Sequence, residues 1–339
     1  MRCLYPLYAG VWRYGDDGEP INYVSAKDGH KYPKMVFFKS REQRESIADN
    51  GAYNYLGGFL DKLDLPCGQC FACRLNYSRH WATRLTAEAL YHENNYFLTL
   101  TYNDESLPHS DLGFVTLFPD DVSAFMKRLR RHFEYKYGVQ NIRFFAAGEY
   151  GTSTYRPHYH LIVFGLPLDD LKYYKVNFRG DAFFTSPTLE RLWSKGFVVV
   201  GEMCYDSAAY VARYCTKKLT GQAQDDRLAK FGQVQEFSRM SLKPGIGFQY
   251  FIDKHLDIYE YDKVLLPGVH GTRPPAYYDH LFEDLAPADY EDVKAKRIKR
   301  GNLVMQNILS RTDLTYEQYL EGLRLEAEQT KKKLPRDLL

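Results

Sequence analysis

An α+β fold, with a central, mainly antiparallel sheet of about five strands flanked by helices and irregular additions at both ends, follows from three observations on the sequence. Between residues 96 and 219, apolar runs of strand length alternate with amphipathic runs of helix length, in the order strand, helix, strand, strand, helix, strand, helix. The two consecutive strands are joined only by the turn-rich residues 151–157, which implies a hairpin-like pair rather than a crossover. The helical runs carry one apolar face each, the pattern of elements that cover a sheet.

Taken in order, residues 1–66 are rich in Tyr, Gly and Asp with short apolar runs such as Met35-Val36-Phe37-Phe38, which predicts short strands and loops. Residues 74–92 place Leu75, Trp81, Leu85, Ala89 and Leu90 at helical spacing. The β-branched and aromatic residues 96–102 predict a strand that stops at Asn103-Asp104. A second helix starts near Pro119, with Asp120 and Asp121 in its first turn and Val122, Phe125, Met126, Leu129 and Phe133 on one face. Its other face carries Lys127, Arg128, Arg130 and Arg131. Strands follow at 141–148 and 158–165, a short helix at 189–193 ending by Gly196, a strand at 197–202 and a helix at 207–219. Residues 166–186 show no clear period. Beyond 225 the chain reads as loops and helices. Its last segment, 316–333, spaces Leu320, Leu323 and Ala327 as a helix that is either solvated or partner-binding. The expected division is an N-terminal segment 1–75, a core 76–225 and a C-terminal segment 226–339.

Composition narrows the function classes. A net charge of +2 over 339 residues is unlike a strongly basic nucleic-acid domain, yet residues 120–220 hold 15 Lys+Arg against 10 Asp+Glu. The 29 tyrosines could stack on bases or simply fill the core. No apolar run reaches the about 18 residues of a membrane span, and the first residues lack a signal-peptide pattern, so a cytoplasmic protein is expected. Six cysteines in so long a chain do not make a disulfide scaffold. Three of them form Cys67-x2-Cys70-x2-Cys73; Cys3 is the first choice of fourth ligand for a structural Zn²⁺, with Cys204, Cys215 and His80 behind it. Three ordinary thiols are the plain alternative, and an iron–sulfur cluster ranks below zinc for want of a redox motif.

Two constellations carry chemistry. His158 and His160 alternate along an apolar strand and so share a face, with Glu149 at the end of the preceding strand opposite them. Buried imidazoles need partners, and a His₂Glu set with open positions suits Mg²⁺, Mn²⁺ or Zn²⁺ acting on a phosphoryl oxygen. Tyr210 and Tyr214, four apart, share one helix face beside Arg213, Lys217 and Lys218. A phenol with its ordinary pKa of about 10 is a poor nucleophile until a metal and cations favour the phenolate. Packing histidines and packing tyrosines are the bland readings.

As an ordered set, the strand 97–102, Gly148-Glu149-Tyr150-Gly151 with Arg156-Pro157-His158-Tyr159-His160, and Ala209-Tyr210-Val211-Ala212-Arg213-Tyr214 with Lys217-Lys218 resemble the HUH endonuclease superfamily. The similarity is greater to the replication initiators of gokushovirus-type microviruses, and it extends to Pro66-Cys67-Gly68-Gln69-Cys70 with Cys73-Arg74 and to Ser241-Leu242-Lys243-Pro244-Gly245-Ile246-Gly247. Tyr159 stands where the superfamily has a bulky hydrophobe, and Arg213 where the family commonly has Lys. The resemblance implies an HUH nuclease-like sheet and an enzyme of rolling-circle replication that nicks single-stranded DNA at a viral origin. It would stay joined to the 5′ end through phosphotyrosine and rejoin the strand later. Glu149, His158 and His160 would hold a divalent metal (Mg²⁺ or Mn²⁺); Tyr210, Tyr214, Arg213, Lys217 and Lys218 would carry catalysis. Lys127, Arg128, Arg130, Arg131 and Arg156 are candidate DNA contacts. No Gly-x4-Gly-Lys-Ser/Thr occurs, so a host helicase and polymerase would be partners in the bacterial cytoplasm. Two other readings stay open: a metal-dependent phosphodiesterase using water, and a non-catalytic, zinc-stabilised DNA-binding protein.

Overall fold

The structure is a computed structural model that describes residues 3–12, 22–24, 31–38, 43, 60–138, 141–151, 154–177, 180–217, 222–267 and 269–333. The side chains of some of these, Tyr214, Cys215 and Lys217 among them, lie outside the description. The chain divides into two compact units, one of residues 1–74 with 314–333, the other of residues 75–313 with 334–339.

The first unit contains strands β1 (Leu7–Trp12), β2 (Asn22–Val24), β3 (Lys31–Phe38) and β4 (Leu60–Leu65), paired in the order β2-β3-β1-β4. The helix Tyr316–Lys333 belongs to this unit, and its Leu323 and Ala327 pack with Leu4, Cys70 and Ala72. Its apolar stripe is thus neither solvated nor left for a partner, because the chain's own first residues cover it.

The second unit holds a seven-stranded sheet in which every neighbouring pair is antiparallel. Its strands are β5 (Tyr96–Thr101), β6 (Arg143–Tyr150), β7 (Pro157–Phe164), β8 (Lys172–Val176), β9 (Ala182–Thr185), β10 (Val198–Glu202) and β11 (Phe237–Met240), in the order β11-β6-β7-β5-β10-β9-β8. The sheet therefore exceeds the expected five strands. The hairpin β8–β9 fills the stretch without a period, and β8 escapes a pattern search because it is a mostly exposed edge. Strand β11 has four half-buried residues, too few for a period to show.

Side-chain alternation along the central strands feeds two cores. On one face Leu98, Leu100, Ala146, Tyr159, Leu161, Val163, Val198 and Val200 pack with Phe125, Met126, Leu129 and Phe133 of helix α2 (Pro119–Tyr137) and with Leu189, Leu192 and Trp193 of α3 (Pro187–Trp193). Pro119 opens α2 with two acids in its first turn, and Ser186 caps α3 by accepting from the Leu189 amide at 3.2 Å. On the other face Phe97, Phe145, Ala147, Ile162, Phe164 and Val199 meet Trp81, Ala82 and Leu85 of α1 (Phe71–Ala89) and Ala208, Tyr210, Val211 and Ala212 of α4 (Tyr205–Lys217).

The part of the chain beyond 225 is more regular than expected. Helices α5 (Gln222–Phe231), α6 (Phe248–Tyr261), α7 (Ala276–Leu285), α8 (Pro287–Leu309) and α9 (Tyr316–Lys333) occur there, with a hairpin of β12 (Val264–Leu266) and β13 (Val269–Thr272). A third core forms around Tyr250, Phe251, Tyr259, Tyr278, Phe282 and Tyr290. Tyrosines do most of this packing, and a tyrosine-rich helix reads as half-polar in sequence. No described helix is long and apolar enough to cross a membrane.

Candidate active site

Register decides which side chains meet. His158 of β7 pairs with Glu149 on β6 and with Thr101 on β5, and His160 pairs with Ala147 and Thr99. Residues two apart share a face, so Glu149, His158 and His160 all project toward the side covered by α1 and α4. His158 Nε2 lies 2.7 Å and His160 Nε2 3.4 Å from the same carboxylate oxygen, Glu149 Oε1. One donor atom from each residue falls within 4.8 Å of the others.

The far side of each ring is held as a metal ligand requires. His158 Nδ1 is 3.2 Å from the Arg156 carbonyl, which can only accept, and His160 Nδ1 is 3.1 Å from Thr99 Oγ1. A proton donated from His158 Nδ1 to that carbonyl leaves the Nε2 lone pair facing the carboxylate. Lone pairs converging on a carboxylate oxygen need a proton or a shared cation among them. Burial pushes the Glu149 carboxyl up, but hydrogen bonds and charge from His158 and His160 outweigh it and hold the pKa down to about 2. An ionised carboxylate with two imidazoles is a donor set that fits a divalent cation.

Helix α4 brings Tyr210 to this face. Its ring is 5 % exposed and meets the His160 ring edge-on at 5.4 Å, with Phe97 at 6.1 Å. The Arg213 guanidinium sits 5.6 Å from the Tyr210 ring centroid. Tyr214 and Lys217 continue α4, while Lys218 lies outside the described residues. Arg156, next to the triad, pairs with Asp104 at 2.6 Å and donates to the Tyr102 carbonyl at 3.0 Å.

The basic run of α2 sits over the opposite face of the sheet. Arg128 donates to the Leu192 and Trp193 carbonyls at 2.7 and 3.3 Å, and Arg130 to the Ile142 carbonyl at 3.1 Å. Those two tie helix to neighbours, whereas Lys127 and Arg131 are exposed.

Two features escape the sequence reading. Thr99 orients His160, and its only trace in sequence is a hydroxyl at mid-strand among apolar residues. A groove of ≈ 350 Å³ runs between α1 and α4, lined by Ser78, Arg79, Tyr205, Asp206, Ala209 and Arg213 among others. Arg79 belongs to no motif, so nothing in the sequence pairs it with Arg213 across two helices.

Residues 95–219, which contain the triad and α4, match the family model described as replication-associated protein ORF2. The whole chain is 36 % identical to replication-associated protein ORF2 of Spiroplasma virus 4, covering 100 % of this chain and 98 % of that protein. It is 31 % identical to replication-associated protein VP4 of Bdellovibrio phage phiMH2K over 92 % of this chain and 87 % of that one. It is also 33 % identical to replication-associated protein ORF4 of Chlamydia phage 1 over 75 % and 63 %. No solved structure matches. With a relative so similar from end to end, the chain belongs to the microvirus replication-associated protein family, whose members initiate replication.

Proposed function

We propose that the protein nicks and rejoins single-stranded DNA at its viral origin, with a tyrosine of α4 as nucleophile. The observation that carries this reading is the convergence of Glu149, His158 and His160 within 4.8 Å beside the Tyr210 ring. Those three residues would hold Mg²⁺ or Mn²⁺, which when bound supplies Lewis-acid polarisation of the scissile phosphate. Thr99 and the Arg156 carbonyl keep both imidazoles turned toward the phosphate position. The phenol oxygen of Tyr210 or Tyr214 attacks phosphorus, the bond to the 3′ oxygen breaks, and the phenolic proton ends on the released 3′ hydroxyl. A 5′-phosphotyrosine conserves the ester energy, so the second tyrosine can cut the regenerated origin and the strand can close without ATP.

Arg213, Lys217 and Lys218 would neutralise charge developing on the phosphate. The strand would follow the groove past Arg79 and Arg213, with Arg156 at the entry. Lys127 and Arg131, with Arg128 and Arg130 behind them, would add attraction for flanking phosphates on the other face. Residues 76–225 form the nuclease core in this reading, and the protein works in the host cytoplasm beside a host helicase and polymerase.

The test uses radiolabelled single-stranded oligonucleotides tiling the phage genome, incubated with the full chain and Mn²⁺. A labelled covalent adduct is expected from one tile and is absent from the Tyr210→Phe/Tyr214→Phe double variant. Cleavage that leaves a free 5′ phosphate, with no adduct, would move the nucleophile to water. Salt-sensitive binding without cleavage, indifferent to His158→Ala and His160→Ala, would leave a binding protein only.

A further inference from the structure

We propose that Cys3, Cys67, Cys70 and Cys73 bind one zinc ion as four thiolates, and that this ion fastens the first residues of the chain to helix α9. The four sulfurs lie within 4.8 Å of one another, and Cys3 Sγ is 3.9 Å from Cys70 Sγ. Thiolates about 2.3 Å from a tetrahedral ion stand about 3.8 Å apart along each edge. All four cysteines are free thiols. An iron–sulfur cluster, with several irons and bridging sulfides inside its ligand shell, would hold the sulfurs farther apart than a single ion does.

Backbone amides point at the sulfurs. Cys67 N donates to Cys3 Sγ at 3.2 Å, Cys70 N to Cys67 Sγ at 3.3 Å and Leu4 N to Cys70 Sγ at 3.4 Å. Amide donors of this kind offset the negative charge that four thiolates around a divalent ion leave behind. The turn from Cys67 to Cys70 passes through Gly68 at φ +73°, a left-handed conformation that glycine adopts without strain. Cys73 then adds its sulfur from the first turn of α1.

Around the sulfurs lies an apolar shell that also contains the end of this unit. Leu4, Ala72 and Ala327 are buried there, with Phe71 and Leu323 beside them. Arg324 of α9 donates to the Leu4 carbonyl at 3.0 Å, and its guanidinium lies 4.3 Å from the Tyr5 ring. Residues held by α9 are thus covalent neighbours of a metal ligand. An ion that fixes Cys3 fixes the surface on which α9 rests.

Metal content of the purified full-length protein, measured by mass spectrometry of the elements, tests this first. One zinc per chain is expected, retained in the Glu149→Ala/His158→Ala/His160→Ala variant and lost in Cys70→Ser. Retention in the triad variant separates this site from the proposed nuclease centre, so either can fail alone. Hydrogen exchange on the intact protein supplies a second measurement that does not depend on a variant folding. After zinc is stripped with a chelator, amides of Leu4–Leu7 and of α9 are expected to exchange faster by an order of magnitude or more, while β5 to β7 are unchanged. Protein without zinc, iron in its place, zinc undiminished by Cys70→Ser, or α9 amides indifferent to the chelator would each overturn the assignment.

Discussion

The two faces of the seven-stranded sheet are built from alternate residues of the same strands, yet they bury different chemistry. Under α2 and α3, Trp193, Phe125, Phe133 and Tyr159 fill the layer with neutral rings, and a buried carboxylate at its margin, Asp121, accepts from Tyr102 at 2.6 Å. Under α1 and α4 the layer carries ions at both ends. Glu88 pairs with Arg143 and accepts from the Gly247 amide at 2.7 Å, and Glu149 lies between two imidazoles. Burying charge costs several kcal/mol per ion, so the sheet concentrates that cost on one side and leaves the other to supply cohesion.

The sharpest way to break this comparison is to damage the cohesive face alone. Trp193→Ala should lower unfolding free energy by about 3–5 kcal/mol in urea titration while the native protein still binds Mn²⁺. A loss of Mn²⁺ binding from folded protein would show that the faces are not independent. Next comes the charged face, where Glu88→Gln should cost about 2–3 kcal/mol at neutral pH. Burial works to raise the Glu88 carboxyl, but hydrogen bonds from His92 and Gly247 and the Arg143 charge keep it below its usual value. A carboxyl depressed in the native state contributes stability that is complete above the ordinary carboxylate range and disappears as pH falls through the native value. Wild type should therefore lose stability below about pH 4 more steeply than Glu88→Gln, and parallel curves would refute the argument.

Thr99→Val should weaken Mn²⁺ binding about 10–100-fold, about 1.4–2.7 kcal/mol, because His160 loses the partner that aims it. Titration of folded variant with unchanged affinity would remove Thr99 from the site. Smallest of all, Tyr159→Phe should cost about 1 kcal/mol of stability by deleting one hydroxyl from a buried network, with Mn²⁺ affinity unaltered.

How much of this was legible depends on the range over which each signal acts. The alternation of His158 and His160, the hairpin that brings Glu149 opposite and the Pro119 start of α2 are local, and a period or a turn residue announces them. Strand β8 was illegible because an exposed edge has no buried face to alternate with. The stripe on α9 was visible, but its cover, Leu4 and Cys70, lies far earlier in the chain, beyond the reach of any local pattern. Arg128 and Arg130 looked like DNA contacts because charge is readable in sequence, whereas the carbonyls that occupy them are not. Thr99 and Arg79 acquire meaning only through strand register and helix packing.

Tyr159 gives the comparison a final consequence. Between the two imidazoles it turns the other way, fully buried, with its hydroxyl 2.8 Å from that of Tyr102 and 2.9 Å from the Phe118 amide, to which it is bonded. If β7 slid by one position, Tyr159 and Leu161 would face the cation while both imidazoles sank into a layer of aromatic rings. That arrangement strands two polar rings and one phenol at once, so mispairing is penalised before any ligand arrives. The phenol in the midst of the motif acts as a proofreader of alignment, and accuracy at the chemical centre is enforced from behind it.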